Sequence, residues 1–111
     1  MPSHWVYQEA AISIGSPGPY IQTKYSDNLF DRIFEENVDV DDLIWHRDKN
    51  DRVVTVLKCG NGWMFQFDNE LPFELKPDME IVIAKEAFHR VIKGKGNLKV
   101  QIKEVENGSV N

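Results

Sequence analysis

The 111-residue chain has a single cysteine, Cys59, so it cannot form an internal disulfide. Disulfides are rare in reducing compartments, and this composition therefore favours a cytoplasmic protein. No apolar run approaches the roughly 20 residues that span a bilayer. The N-terminus does not show the charged and apolar segments of a signal peptide. These absences predict a soluble, cytoplasmic protein with no membrane contact.

The chain also has no excess of positive charge. It contains 13 lysines and arginines against 18 aspartates and glutamates, which gives a formal net charge of −5. Nucleic acids and anionic membranes bind surfaces with a positive field, so neither is an expected partner. Repeats are not visible either, and 41% hydrophobic residues suffice for one core of ordinary size. We therefore expect a single domain over residues 1–111.

Short runs of β-branched and aromatic residues recur along the chain at intervals of roughly ten residues, as in all-β sandwiches and barrels. These runs are residues 20–23, 52–57, 63–67, 80–84, 90–92 and 98–103. The turn signal Cys59-Gly60-Asn61-Gly62 predicts that the second run pairs with the third in a hairpin.

One segment predicts a helix instead. The short polar side chains of residues 26–28 can cap a helix N-terminus. They precede four apolar residues at helical spacing, Leu29, Phe30, Ile33 and Phe34. We expect one short helix over about residues 27–36, and two short strands between residues 5 and 14 that pair with a second copy of the chain.

Two of the three histidines lie at the edges of strand-like runs, and one of them is followed by an aspartate. Asp48 comes two positions after His46, a spacing that puts both side chains on one face of a strand. Two imidazoles and one carboxylate form the face that binds Fe(II) and related metals and leaves positions open for substrate. The candidate ligands are therefore His46, Asp48 and His89, with Asp51 as the alternate carboxylate. The candidate ions are Fe, Mn, Zn and Ni.

Three polar residues near these positions are candidates for binding a small molecule. Arg52 and Arg90 could clamp a carboxylate or a phosphate through two parallel hydrogen bonds. Gln66 lies within an aromatic run and would orient a ligand if its register turns it towards the histidines.

The order of these residues resembles the cupin superfamily, whose RmlC-like fold is a small jelly-roll barrel. His46 and His89 match the leading histidine of the first cupin motif and the histidine of the second. Asp48 stands where the first motif has its second histidine, and Val53 where it has its glutamate. The resemblance covers roughly residues 38–105 and extends to small uncharacterised cupin-like proteins of bacteria and phages. It implies an all-β jelly-roll barrel with a site at the barrel mouth.

Three functions fit this pattern and stay open, and only some of them are enzymatic. The first is a cupin-like barrel that binds a divalent metal or a small molecule, with no assigned reaction. In the second, the barrel binds a ligand without metal or is a structural homodimer, and its aspartates pair with neighbouring arginines. The third resembles the Fe(II)/2-oxoglutarate oxygenases, with Lys99 as the basic residue for the cosubstrate.

Overall fold

The structure, a computed structural model, describes residues 19–105, and over this range its regular secondary structure consists of strands apart from one short 3-10 turn. The elements are β1 (Ile21–Ser26), β2 (Leu29–Phe34), a 3-10 turn (Val40–Asp42), β3 (Asp51–Lys58), β4 (Met64–Phe67), β5 (Phe73–Glu74), β6 (Glu80–Ile83), β7 (His89–Ile92) and β8 (Leu98–Val105). The strands predicted between residues 5 and 14 lie outside the described residues. Within the described range, no helix has the length and apolar character needed to cross a membrane.

The strands form two antiparallel sheets. The larger has the order β1-β2-β8-β3-β6 and the smaller the order β5-β4-β7. Apolar side chains from both sheets meet in one core, in which Val56, Trp63 and Leu98 are fully buried. This arrangement confirms the predicted all-β class and is consistent with a jelly roll. Between residues 19 and 105, however, no strand pairing joins the two sheets, so they form an open sandwich rather than a closed barrel.

The helix predicted over residues 27–36 is wrong, because these residues form a turn and the strand β2. β2 pairs with β1 on one side and with β8 on the other, which places its backbone groups in two ladders. Phe30, Arg32 and Phe34 alternate along β2 and are all buried. The buried Arg32 interrupts the apolar alternation that would have identified a strand from the sequence.

The hairpin predicted between residues 52–57 and 63–67 is also wrong. β3 pairs with β6 and β8 in the larger sheet, whereas β4 pairs with β5 and β7 in the smaller one. The turn between β3 and β4 connects the larger sheet to the smaller one and is hydrogen-bonded to the loop after β7. Asn61 and Lys95 exchange two backbone hydrogen bonds of 2.8 and 2.7 Å there. Gly60 permits this approach, since a Cβ at that position would lie 2.1 Å from the Lys95 oxygen.

Candidate metal centre

An isolated backbone bridge brings the two candidate histidines together. The His46 N–H donates to the His89 carbonyl at 3.0 Å, and the His89 N–H donates to the His46 carbonyl at 2.9 Å. His89 is the first residue of β7, so His46 extends the smaller sheet beyond that strand. The two imidazoles pack edge to face with ring centroids 4.0 Å apart.

Asp48 completes a cluster of three side chains that offer ligand atoms for a metal. One ligand atom each from His46, Asp48 and His89 lies within 4.8 Å of the other two. All three residues are at most 8% exposed. The Asp48 carbonyl accepts a hydrogen bond of 2.7 Å from the Glu86 N–H, which ties the segment after His46 to the loop that precedes β7.

Backbone carbonyls orient both imidazole rings. His89 Nδ1 lies 2.8 Å from the Ala87 carbonyl, and His46 Nδ1 lies 3.3 Å from the Ile44 carbonyl. A carbonyl oxygen can only accept a hydrogen bond, so Nδ1 carries the proton in each neutral ring. The lone pair is then on Nε2. This is the arrangement by which proteins usually prepare a histidine to ligate a metal.

Both imidazoles are held in the neutral form. Burial lowers the pKa of His46 far below its usual range, and the nearby His89 and Arg52 lower it further. Burial also lowers the pKa of His89, although the Asp48 carboxylate and the Ala87 carbonyl act in the opposite direction. Neutral imidazole is the form that binds a metal ion.

One contact in the cluster is unfavourable for the bare side chains. His89 Nε2 lies 3.4 Å from Asp48 Oδ2, which is buried and has no hydrogen-bond partner. With the His89 proton on Nδ1, two acceptor atoms face each other. A buried acceptor without a partner is costly, and a cation between the two atoms would relieve that cost. The donor set and this acceptor pair both fit a divalent metal ion.

Arg52 supports the other side of the Asp48 carboxylate. Its Nη1 lies 3.3 Å from Asp48 Oδ1, while its Nη2 and Nε donate to Glu104 Oε2 at 2.8 and 3.1 Å. The side chains of Arg52 and Asp48 are almost completely buried. The arginine therefore fixes one oxygen of Asp48 and leaves Oδ2 facing His89.

The glutamate of the first cupin motif has no equivalent among the residues of β3 that face the interior. Along β3, the buried residues are Arg52, Val54 and Val56. Val53, at the glutamate position of the resemblance, lies between two of them and pairs with Val82 and Lys103 in the neighbouring strands. Since successive side chains of a strand point to opposite faces, Val53 points away from the interior.

The site opens onto an internal cavity between the two sheets, with a volume of about 50 Å³. Phe65 forms part of its wall, and the Phe65 ring stacks on the His89 ring at 5.4 Å with an interplanar angle of 17°. The two histidines thus belong both to the candidate metal cluster and to the cavity wall.

The remaining predicted site residues lie elsewhere. Asp51 Oδ1 accepts a hydrogen bond of 2.7 Å from the Lys85 N–H. Arg90 donates to Gln66 Oε1 at 2.9 Å and stacks on the Trp45 ring at 4.7 Å. None of Asp51, Gln66 and Arg90 borders the cavity.

Lys99, the expected cosubstrate residue, does not face the core. Its Nζ lies 4.0 Å from Asp31 Oδ2. The core residues Leu98 and Val100 point to the opposite face of the larger sheet.

Two charged residues of the site, Arg32 and Glu104, were not predicted from the sequence. Arg32 borders the cavity from β2, where its alternation with Phe30 and Phe34 was the available signal. Glu104 pairs with Arg52 through the register of β3 with β8. A cross-strand register between distant segments has no local signature in a single sequence.

Comparison with known proteins identifies the fold. No family model matches the chain, and no curated protein matches it. A cupin domain from Bordetella pertussis Tohama I is 19% identical with a TM-score of 0.57, over 83% of this chain and 100% of that one. An RmlC-like cupin family protein with a double-stranded β-helix fold, from Methanocaldococcus jannaschii, is 8% identical with a TM-score of 0.62, over 87% and 90%.

A third similar structure belongs to a study of the DMSP lyases RdDddP and RnDddQII. It is 13% identical with a TM-score of 0.61, and the match covers 75% of this chain and 40% of that one. This chain thus spans less than half of that protein. Together these similarities confirm the resemblance predicted from the sequence: the chain has the cupin fold.

Proposed function

We propose that this cupin-fold protein binds one divalent metal ion through His46, Asp48 and His89. Two imidazoles and one carboxylate are the donor set of sites that bind Fe, and related ions such as Mn, Zn and Ni use the same ligand types. The observation that carries the proposal is the contact between His89 Nε2 and the unpartnered Asp48 Oδ2. A dication would bind both atoms and remove their repulsion.

The residues around the cluster would prepare it for the ion. Ala87 and Ile44 hold the His89 and His46 rings through Nδ1, and Arg52 holds Asp48 through Oδ1. A bound metal would supply Lewis-acid chemistry or activate a water molecule. A small molecule would then bind in the adjoining cavity.

Metal analysis of protein purified without a histidine tag tests this proposal. The protein is incubated in turn with Fe(II), Mn(II), Zn(II) and Ni(II), desalted and measured by mass spectrometry. We expect one ion per chain for at least one metal, and loss of that ion in His46→Ala and His89→Ala. Wild-type protein that retains none of the four ions, or two variants that retain the wild-type amount, would contradict the proposal.

Glutamine variants guard against misfolding of the alanine variants. Glutamine is polar and close in size to histidine, so H46Q and H89Q preserve more of the buried packing. Far-UV circular dichroism establishes that each variant is folded before its metal content is compared with wild type.

A second candidate function, ligand binding without a metal, is supported by the ion pair between Arg52 and Asp48. This contact neutralises the carboxylate even when no ion is bound. If this function is the correct one, dialysis against a chelator leaves small-molecule affinity unchanged. Affinity that falls after chelation favours the metal-dependent function instead.

We also propose that the chain forms a homodimer through an edge of the larger sheet. β6 is an edge strand among the described residues, and its Val82 is 68% exposed. Exposed edge strands with apolar side chains tend to pair with another chain. Light scattering of the wild type and of Val82→Lys tests this: a dimer that dissociates in the variant supports the edge, and a monomeric wild type refutes the dimer.

A further inference from the structure

The cavity beside the candidate metal centre is small and mostly apolar. Its volume is about 50 Å³, and valine, leucine, isoleucine and phenylalanine side chains form most of its wall. An apolar cavity of about 150 Å³ binds benzene, which has six non-hydrogen atoms. In proportion, the space between the two sheets admits a molecule of roughly two or three non-hydrogen atoms.

The polar side chains of this wall are already engaged with other groups of the protein. The Nε of Arg32 donates to Gln22 Oε1 at 2.8 Å. The Arg52 guanidinium donates to Glu104 Oε2 through two of its nitrogens. Each of the two histidine rings is held through Nδ1 by a backbone carbonyl. The wall therefore offers a ligand mainly apolar surface.

The wall also disfavours a charged ligand. Among residues 19–105, no aspartate or glutamate side chain borders the cavity, so a cation would have no counter-ion there. An anion would have to draw the two guanidinium groups away from their partners in the protein. Burying a charge without a partner costs far more free energy than burying an apolar group. The cavity is thus suited to an uncharged molecule.

Ile44 connects the cavity wall with the protein surface. Its side chain borders the cavity, and the residue is 37% exposed, more than any other apolar residue of the described wall. The Ile44 carbonyl is the group that lies against His46 Nδ1. The cavity wall therefore reaches the surface next to the candidate metal centre, where a small molecule could enter.

We infer that the cavity binds one small uncharged molecule of about two or three non-hydrogen atoms, with an apolar body and at most one lone-pair donor. The body packs against valines of the larger sheet such as Val54, Val56 and Val100. Burial of apolar surface supplies the free energy of binding. A buried water needs two to four polar partners, which this wall provides poorly, so an apolar molecule competes well with water.

This inference rests on the proposed function only for the donor atom of the ligand. His46 and His89 border the cavity and also belong to the three-residue cluster, so a metal ion held there would attract a lone pair at that end. The apolar contacts do not involve the ion. Metal loading should therefore increase the affinity for a ligand that has a donor atom and leave the affinity for one without a donor unchanged.

Methyl NMR with xenon and acetonitrile tests the ligand class, first in metal-free protein with a chelator present. Xenon has neither charge nor a donor group, and acetonitrile is uncharged with one donor nitrogen. Both should shift the methyl resonances of Val54, Val56 and Val100. Acetate and methylammonium, which are of similar size but charged, should not shift them. Pentanenitrile, which has the same donor and three more carbons, should not shift them either.

A pair of valine substitutions tests the location. Val54→Ile adds one carbon to the cavity wall, and it should weaken xenon and acetonitrile binding at least about tenfold, because so small a space cannot hold both. Val53→Ile is the matched control, since Val53 is the neighbouring residue of the same strand and does not border the cavity. If Val54→Ile does not fold, Val100→Ile makes the same change from β8.

Three results would overturn the inference. The first is that neither xenon nor acetonitrile shifts the cavity methyl resonances of the wild type. The second is that acetate, methylammonium or pentanenitrile binds as tightly as acetonitrile. The third is that folded Val54→Ile or Val100→Ile binds acetonitrile as tightly as Val53→Ile does.

Metal uptake distinguishes this inference from the proposed function. A protein that takes up metal but gives any of those three results overturns the cavity ligand and leaves the metal site standing. A protein that takes up no metal but binds xenon and acetonitrile in the cavity supports the inference and overturns the metal site alone. In metal-loaded protein, Zn(II) should raise the affinity for acetonitrile and not for xenon; equal changes for both would overturn the contact between donor atom and metal.

Discussion

Two isolated backbone bridges extend the smaller sheet, one at each end, and the chain uses them differently. Both consist of two reciprocal hydrogen bonds, between His46 and His89 at one end and between Asn61 and Lys95 at the other. The first is bordered by imidazoles, a carboxylate and an arginine. The second is bordered by glycines. The same pair of backbone hydrogen bonds thus positions candidate metal ligands at one end of the sheet and closely packed glycine backbone at the other.

This difference indicates where the chain should tolerate substitution. At the glycine bridge, two backbone segments approach so closely that a side chain added at Gly60 or Gly94 would overlap backbone atoms. At the histidine bridge, side chains fill the space, and substitutions there act through charge and ligand atoms. Substitutions at the two bridges should therefore differ both in size of effect and in cause.

The largest effect is expected at the glycine bridge. A Cβ on Gly94 would lie 2.3 Å from the backbone nitrogen of Trp63 and 2.6 Å from the Asn61 oxygen. These are backbone atoms that cannot move aside, so Gly94→Ala should reduce the free energy of unfolding by more than about 4 kcal/mol, a loss seen only for severe mutations. Urea unfolding measures the change.

Gly62→Ala is the control for that substitution. Gly62 has a φ of 84°, but the nearest atom to its Cβ position is 4.0 Å away. Only backbone strain opposes the change, which costs about 1–2 kcal/mol. If both variants lose the same stability, close packing at the bridge is not the reason for the glycine at position 94.

The second effect concerns the ion pairs of the histidine end. Arg52→Met leaves the buried Asp48 and the partly buried Glu104 without their cation. Removing one partner of a buried ion pair costs about 3–5 kcal/mol. Arg47→Met is the control, since the Arg47–Glu86 pair is partly exposed and worth at most about 1 kcal/mol. Similar losses in both variants, measured by urea unfolding, would show that burial does not distinguish the two arginines.

The third effect is a pH dependence of the metal-free protein. Burial lowers the pKa of His46 and His89, so the unfolded chain binds protons near pH 6.5, where the folded chain does not. The free energy of unfolding should therefore decrease as the pH falls below about 6.5, by up to about 1.4 kcal/mol per pH unit for each histidine. Arg32 and Arg52 oppose protonation, whereas Asp48 favours it at His89.

Urea unfolding in the presence of a chelator, between pH 8 and pH 5, measures this slope. The double variant H46Q/H89Q should lose most of it, while other carboxylates continue to titrate at lower pH. A wild-type stability that rises towards pH 5 would mean that the buried imidazoles gain protons on folding, contrary to the burial argument.

The sequence predicted the candidate site better than the strands around it. His46, Asp48 and His89 could be named together because His46 and His89 match the histidines of the two cupin motifs and Asp48 stands at a ligand position of the first motif. Gln66 and Arg90 were predicted to bind ligand, but their position depends on the register of β4 with β7, which pairs them with each other. Local sequence does not encode such a register.

The β1–β2 hairpin shows more clearly that local sequence does not determine which residues face the core. A buried charge, Arg32, stands in the middle of β2 between two phenylalanines, and the remaining apolar residues then fit a helical spacing. In the folded chain the Arg32 guanidinium lies over the Tyr20 and Phe30 rings. The residue that concealed the strand also borders the cavity between the two sheets.

The most direct test of the metal site compares two aspartates that are three positions apart. Zn(II) is titrated calorimetrically into metal-free wild type, Asp48→Asn and Asp51→Asn. Asparagine keeps the size of the side chain but removes its charge, and only Asp48 belongs to the three-residue cluster. We predict one equivalent of Zn(II) bound by wild type and by Asp51→Asn, with affinity reduced more than about 100-fold in Asp48→Asn, beyond the range of outer-shell substitutions. Equal Zn(II) affinity in Asp48→Asn and wild type, or no uptake by wild type, would contradict the account.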